Sequence, residues 1–223
     1  MRRAARVDYA VVRNGGTKEA RLPAPPVFPK PTFTVLEMLA ALFELAPRVP
    51  RLVLAAAGPH RVDPRLREVV LLAVSEANRC RYCRAAHVEL SQGAGVTDQE
   101  RGALHDRRWQ ELPPRERAAV VSALRRAGFG IPDAAPEDIA LEEHFLPGEV
   151  AALAALVDFI RIANLSGNTV DMLIARLVGS HRPRRDSNVL SELAVTGMWT
   201  LGAVPGALGI AAAGLWRRLH RQA

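Results

Sequence analysis

The sequence predicts an all-α protein: a multi-helix bundle with an N-terminal Pro-rich arm and an apolar C-terminal helical extension. Three observations carry this reading. The chain is 49% hydrophobic but only 5% aromatic, with Ala and Leu dominant, a balance that favours helix over sheet. Cap residues and apolar residues at 3-and-4 spacing recur along it. The run Val69-Val-Leu-Leu-Ala-Val74, which periodicity alone would allow as a strand, finds no partner strand elsewhere. A length of 223 residues suits one large domain with extensions. The expected division is an arm over 1–31, a helical domain over 32–180, and a basic linker with apolar helices over 181–223.

The arm holds Gly15-Gly16 and the run from Pro23 to Pro31, which cannot sustain a regular helix. From Thr32 the pattern turns helical: Leu36, Leu39, Ala40 and Phe43 share one stripe, Thr34 is the expected cap and Pro47 the stop. A short apolar piece follows between Pro50 and Pro59. Asp63-Pro64 opens the next helix, with Asp as N-cap and Pro in the first turn. Its centre is apolar all round, which predicts burial on several sides, burial of Glu68 with it, and a raised Glu68 pKa. A helix then runs to Gly93 and Gly95. Thr97-Asp-Gln-Glu100 is a capping box for the next one, and Pro113-Pro114 opens another that runs to Arg126 and closes at Gly128. Residues 128–147 read as a connector rather than a lid. Glu149 to Val178 is expected as one bent helix or a helix pair, with Asn164 and Asn168 as satisfied core amides or helix contacts rather than ligands. Leu193 to Trp216 carries no charge. That is long enough to cross a bilayer, but five glycines and Pro205 favour two shorter helices, broken near Gly202–Gly206 and buried in an oligomer core. A membrane contact is the disfavoured alternative.

The chemistry concentrates in Cys80-Arg-Tyr-Cys83-Arg-Ala-Ala-His87, which holds both cysteines of the chain. On a helix each residue advances about 100°, so Cys80, Cys83 and His87 fall within roughly 60° of arc. Asn78 is the expected N-cap of this helix. A thiol near a helix N-terminus sees the positive end of the dipole, and His87 is placed to take the proton of Cys83, its i,i+4 neighbour. Glu68, twelve residues before Cys80, would point about 120° away on one straight helix. It joins the site only if the chain breaks between them, and Ser75 to Asn78 is where that break is expected.

Glu, eleven residues, Cys-x-x-Cys, three residues, His resembles the pattern of the alkyl hydroperoxidase D-like proteins of the carboxymuconolactone decarboxylase superfamily. The specific likeness lies in 68–87; the helix pattern resembles the family over about 35 to 180, and Ala127-Gly-Phe129 and Ala163-Asn164 look like its second half. The resemblance implies an all-α, homo-oligomeric, thiol-dependent peroxidase. A hydroperoxide would be its substrate, a thiol or dithiol protein its reductant, Cys80 and Cys83 its redox pair, and Glu68 and His87 its proton relay. No cofactor and no metal is implied. Three rivals stand beside it: a dithiol electron carrier serving a partner peroxidase, the lactone or decarboxylase chemistry of superfamily members that lack the cysteines, and a zinc site made from the same four side chains.

The net charge is +7, and of 30 basic residues only Lys18 and Lys30 are lysines. No basic tract interleaved with aromatics suggests nucleic-acid binding. Two cysteines three apart cannot staple a large domain, which leaves the pair either chemical or incidental to the core. The N-terminus shows Arg2, Arg3 and Arg6 without an apolar stretch of signal-peptide type. A cytoplasmic, reducing setting is the expectation, one that suits a dithiol that cycles.

Overall fold

The structure is a computed structural model, and it describes residues 25–57, 62–131, 141–183 and 187–201. Among these residues the chain is helical and forms no strand. The helices are α1 (Val35–Leu45), α2 (Val49–Ala57), α3 (Pro64–Ala77), α4 (Arg81–Gly93), α5 (Asp98–His105), α6 (Pro114–Arg126), α7 (Pro147–Leu177) and α8 (Val189–Leu201). An isolated bridge pairs Val27 with Arg182, so the described end of the arm lies alongside the chain that leaves α7.

Local chemistry fixes the helix starts. Thr34 and Thr97 close capping boxes with Glu37 and Glu100. The Asp63 carboxylate accepts the N–H groups of Arg65 and Leu66, and Pro64 occupies the first turn, where no amide donor is needed. Gly95 and Gly128 take φ of 82° and 93° after α4 and α6, the left-handed turns that favour glycine.

Helix α3 is the axis of the bundle. Its residues from Glu68 to Ser75 are all buried, and α4, α5, α6 and α7 pack around it. The main core joins Val69, Val70, Leu72 and Val74 of α3 to Val120, Val121 and Leu124 of α6 and to Leu153, Leu156, Val157 and Ile160 of α7. A second cluster, Phe33, Met38, Leu45, Ile162, Leu165 and Val195, seats α1 and α8 on α7.

Helix α7 is a single helix of 31 residues, where the sequence left a helix pair open. It is long and apolar enough to cross a membrane, but 67% of its most apolar window is buried inside the bundle, which makes it a core helix here. The stripe that signals α1 is placed unexpectedly. Leu36, Leu39 and Phe43 point outward, while Met38 and Leu45 face the core. Of the expected C-terminal helices, α8 is described to Leu201, and the expected break at Gly202–Gly206 lies outside the described residues. So do residues 132–140 of the 128–147 connector and residues 1–24 of the arm. Phe145, at the described end of that connector, is buried in the core.

Candidate functional site

The turn between α3 and α4 builds the site. Helix α3 ends at Ala77, and Asn78 is its C-cap, not the N-cap of α4. The buried Asn78 amide donates to Val74 O at 3.0 Å, so its side chain closes the helix behind it. Arg79 takes φ of 56°, a left-handed residue that reverses the chain. Cys80 is the N-cap of α4 and so stands just outside the helix, instead of on one helical face with Cys83 and His87. Its sulfur accepts the Cys83 N–H at 3.4 Å, the role an Asn or Ser oxygen usually fills. The break falls at the end of the segment where it was expected, and it swings α4 alongside α3. Glu68 and His87 then meet, with Glu68 Oε2 2.8 Å from His87 Nδ1.

Both cysteines are free and buried, and their sulfurs lie 2.8 Å apart. Cys80 is fully covered, whereas Cys83 keeps 7% of its surface exposed. Donation from the Cys83 thiol, which outweighs the opposing effect of burial, lowers the Cys80 pKa, with help from the N–H groups of Cys83 and Tyr82. The same contact and burial hold Cys83 protonated, far above the ordinary thiol range. The first proton therefore leaves Cys80, although His87 lies one turn from Cys83. His87 makes no hydrogen bond to either sulfur. Its Nδ1 is committed to Glu68.

Glu68 is only 3% exposed, as the apolar run predicted, but its pKa moves opposite to expectation. Burial pushes it up. Hydrogen bonds and charge from His87, and from Arg67 with Nε 3.0 Å from Oε1, outweigh burial and hold it below the ordinary value. Desolvation alone would raise it; Arg67 and His87 beside the carboxylate reverse the sign. Among the described residues, no group of three or more His, Cys, Asp or Glu side chains converges to hold a metal ion.

Helix α7 forms the back wall, a part the sequence reading missed. Asn164, Gly167, Asn168 and Asp171 follow i, i+3, i+4, i+7 spacing and make one polar stripe on an otherwise apolar helix. Asn164 Oδ1 lies 3.2 Å from Ser75 Oγ. Asn168 Nδ2 donates to Asn78 O at 2.8 Å and to Pro31 O at 3.0 Å, tying the thiol turn to the arm. The two amides are only half satisfied, since Asn164 Nδ2 and Asn168 Oδ1 have no partner. At Gly167 a Cβ would stand 2.9 Å from Cys80 Sγ and 3.4 Å from Tyr82 Cδ2. Asp171, 7% exposed, holds Lys30 Nζ at 2.5 Å and Arg81 at 2.7 Å. The legible signal was the spacing of these four residues.

Residues 44–126 match the model of the Carboxymuconolactone decarboxylase family. This span runs from the end of α1 through α6 and contains Glu68, Cys80, Cys83 and His87. The match supports the superfamily for this part of the chain. No curated protein and no solved structure matches the chain.

Proposed function

We propose that the chain is a cytoplasmic thiol-dependent peroxidase of the alkyl hydroperoxidase D-like type, reducing organic hydroperoxides through Cys80 and Cys83. The observation that carries this reading is the pair of free sulfurs 2.8 Å apart, with the buried Glu68 of α3 2.8 Å from the half-buried His87 of α4 beside them. Lactone or decarboxylation chemistry has no use for two juxtaposed thiols of opposite acidity.

Cys80 is the more acidic of the pair, so when one proton has left, the charge sits on Cys80 and the remaining proton on Cys83. A proton shift across the S–H···S contact puts the proton on Cys80 and the charge on Cys83, the less completely covered cysteine of the two. Cys83 attacks the outer oxygen of the hydroperoxide; the O–O bond breaks, leaving a sulfenic acid on Cys83 and an alkoxide that takes the proton held on Cys80, which restores the Cys80 thiolate. The Cys80 thiolate then displaces the sulfenic hydroxyl, which leaves as water with a second proton, and the S–S bond forms. One dithiol and one hydroperoxide give one disulfide, one alcohol and one water. His87, oriented by Glu68, serves as proton donor and acceptor for these steps. A thiol or dithiol protein returns the pair to the reduced state.

The test is a thiol titration before and after one equivalent of cumene hydroperoxide, with the alcohol assayed beside it. The expected result is loss of both thiols and one alcohol per chain, with neither in the Cys80→Ser, Cys83→Ser double variant. Consumption by the chain alone separates a peroxidase from an electron carrier. Retention of both thiols in the presence of hydroperoxide would overturn the proposal.

A further inference from the structure

A half-enclosed recess of about 70 Å³ lies between the end of α3, helices α5 and α6, and the chain that follows α6. Its walls are Leu104, Trp109, Leu124, Phe129 and Ile131, and α3 forms its floor at Ala73 and Ala77. None of Glu68, Cys80, Cys83 and His87 lines it. Ala73, Glu76 and Ala77 stand about 80–180° round α3 from Glu68, so the recess is separate from the thiol site. The volume equals that of about five waters, which suits a small molecule and excludes a peptide. Aromatic and branched walls offer water no hydrogen bonds, so a compact apolar body is favoured there.

The mouth carries charge. Glu76, His105 and Arg107 stand at it. Both Glu76 oxygens are taken, by Arg84 Nε at 2.6 Å and His105 Nδ1 at 3.1 Å. The nearby Asp106 and Glu111 carboxylates both pair with Arg108. Arg107 is exposed, and among the described residues its guanidinium has no partner. Every carboxylate here therefore has its cation, and one guanidinium is left over.

The backbone of Arg107 points the same way. Helices α3 to α7 each end with a left-handed residue directly after the C-cap. Three of these are Gly95, Gly128 and Gly179, the residue that takes this conformation without strain; the other two are Arg79 and Arg107, at φ of 56° and 61°. Arg79 turns the chain into the thiol site. Arg107 holds a side chain at the mouth of the recess where glycine would be the more stable choice, and strain of this kind gathers at ligand clamps.

We infer that the recess binds a small apolar monocarboxylate, its body against Trp109 and Phe129 and its carboxylate forked onto Arg107. The site does not rest on the peroxidase reading.

Isothermal titration calorimetry of the full chain tests it, with phenylacetate and its neutral isostere phenylacetamide as probes and far-UV circular dichroism as the check on folding. The expected result is saturable binding of one phenylacetate per chain, with phenylacetamide at least tenfold weaker. Arg107→Gln should lose roughly tenfold to a hundredfold, the usual worth of charge-assisted hydrogen bonds. Ala77→Met, which fills the floor, should abolish binding and leave the fold intact. Arg107→Gly separates a binding role from a structural one: it should lose phenylacetate yet melt about 2–4 °C higher, because the strain is relieved. A wild-type chain that binds neither probe, as it would with its own residues 132–140 in the recess, overturns the inference. So does equal affinity for the two probes, wild-type affinity in Arg107→Gln or Ala77→Met, or a lower melting temperature in Arg107→Gly.

Discussion

Gly167→Ala is the sharpest probe of the thiol site, because it adds one methyl group at the point where α7 touches a sulfur. The new Cβ would lie 2.9 Å from Cys80 Sγ and 3.4 Å from Tyr82 Cδ2, so the sulfur has to retreat by roughly 0.5–1 Å to reach ordinary packing distance. That retreat acts directly on the two contacts that keep Cys80 acidic, the Cys83 thiol at 2.8 Å and the Cys83 N–H at 3.4 Å. Overpacking of this kind costs about 1–3 kcal/mol, while replacing Gly with Ala inside a helix returns about 1 kcal/mol. The net change is about 0–2 kcal/mol, a fall in Tm of no more than several degrees for a chain of this size. Chemistry should therefore change more than stability. The assay is the pH dependence of iodoacetamide alkylation, followed by mass spectrometry at Cys80, with Tm measured alongside. The expected result is a Cys80 profile displaced to higher pH and slower disulfide formation with hydroperoxide. A variant with the wild-type alkylation profile and disulfide rate would refute the claim that α7 sets the Cys80 environment.

Glu68→Gln should slow hydroperoxide-driven thiol loss by about a hundredfold, the usual worth of positioned acid–base help, measured by stopped-flow thiol assay. The same variant tests the pH dependence of stability. Because the folded pKa of Glu68 lies below its ordinary value of 4.5, its stabilisation is present above that range and is lost as pH falls through the depressed folded value. Acid melts of the wild type should lose that contribution, and Glu68→Gln should lack that part of the slope. Asn168→Ala removes the donor to Asn78 O and Pro31 O and strands two carbonyls, at a cost of about 2–3 kcal/mol. Chemical denaturation should show that loss, and a variant as stable as wild type would show that the stripe does not hold the turn.

What the sequence disclosed was mostly local. Thr34, Asp63 and Thr97 were legible as caps because a cap bonds to amides two or three residues away, within reach of a sequence pattern. The spacing of Glu68, Cys80, Cys83 and His87 was legible because it is the site itself. Asn78 was misplaced for an equally local reason: it closes one helix two residues before another begins, and both roles suit the same side chain. The outward turn of Leu36 and Phe43 could not be read from periodicity, which shows that a helix has an apolar face but not which surface covers it. The Glu68 pKa required knowing that Arg67 and His87 arrive at the same carboxylate from two directions. Only the polar stripe of α7 was present in the sequence and overlooked, because each Asn taken singly looks like a core amide.

The cap position of Cys80 explains why the site sits at a helix junction instead of within a helix. Two cysteines three apart inside a helix have Cβ atoms roughly 5–6 Å apart and share one face, but their amides are spent on carbonyls a turn earlier. Moving the first cysteine to the N-cap frees its sulfur to face the unpaired N–H groups of the first turn, and two of these, on Tyr82 and Cys83, favour its charge. The dipole of α4 adds to them. Burial and the negative charge of Asp171 work against all three, since a wholly covered thiolate near a carboxylate is costly. The turn must therefore be held tightly enough that the sulfur cannot leave its donors. In this chain Gly167 supplies the clearance, Asn168 grips the carbonyl two residues ahead of Cys80, and Asp171 secures Arg81 immediately after it. A helix carrying the same two cysteines without that back wall would keep the motif and lose the difference in acidity between its sulfurs.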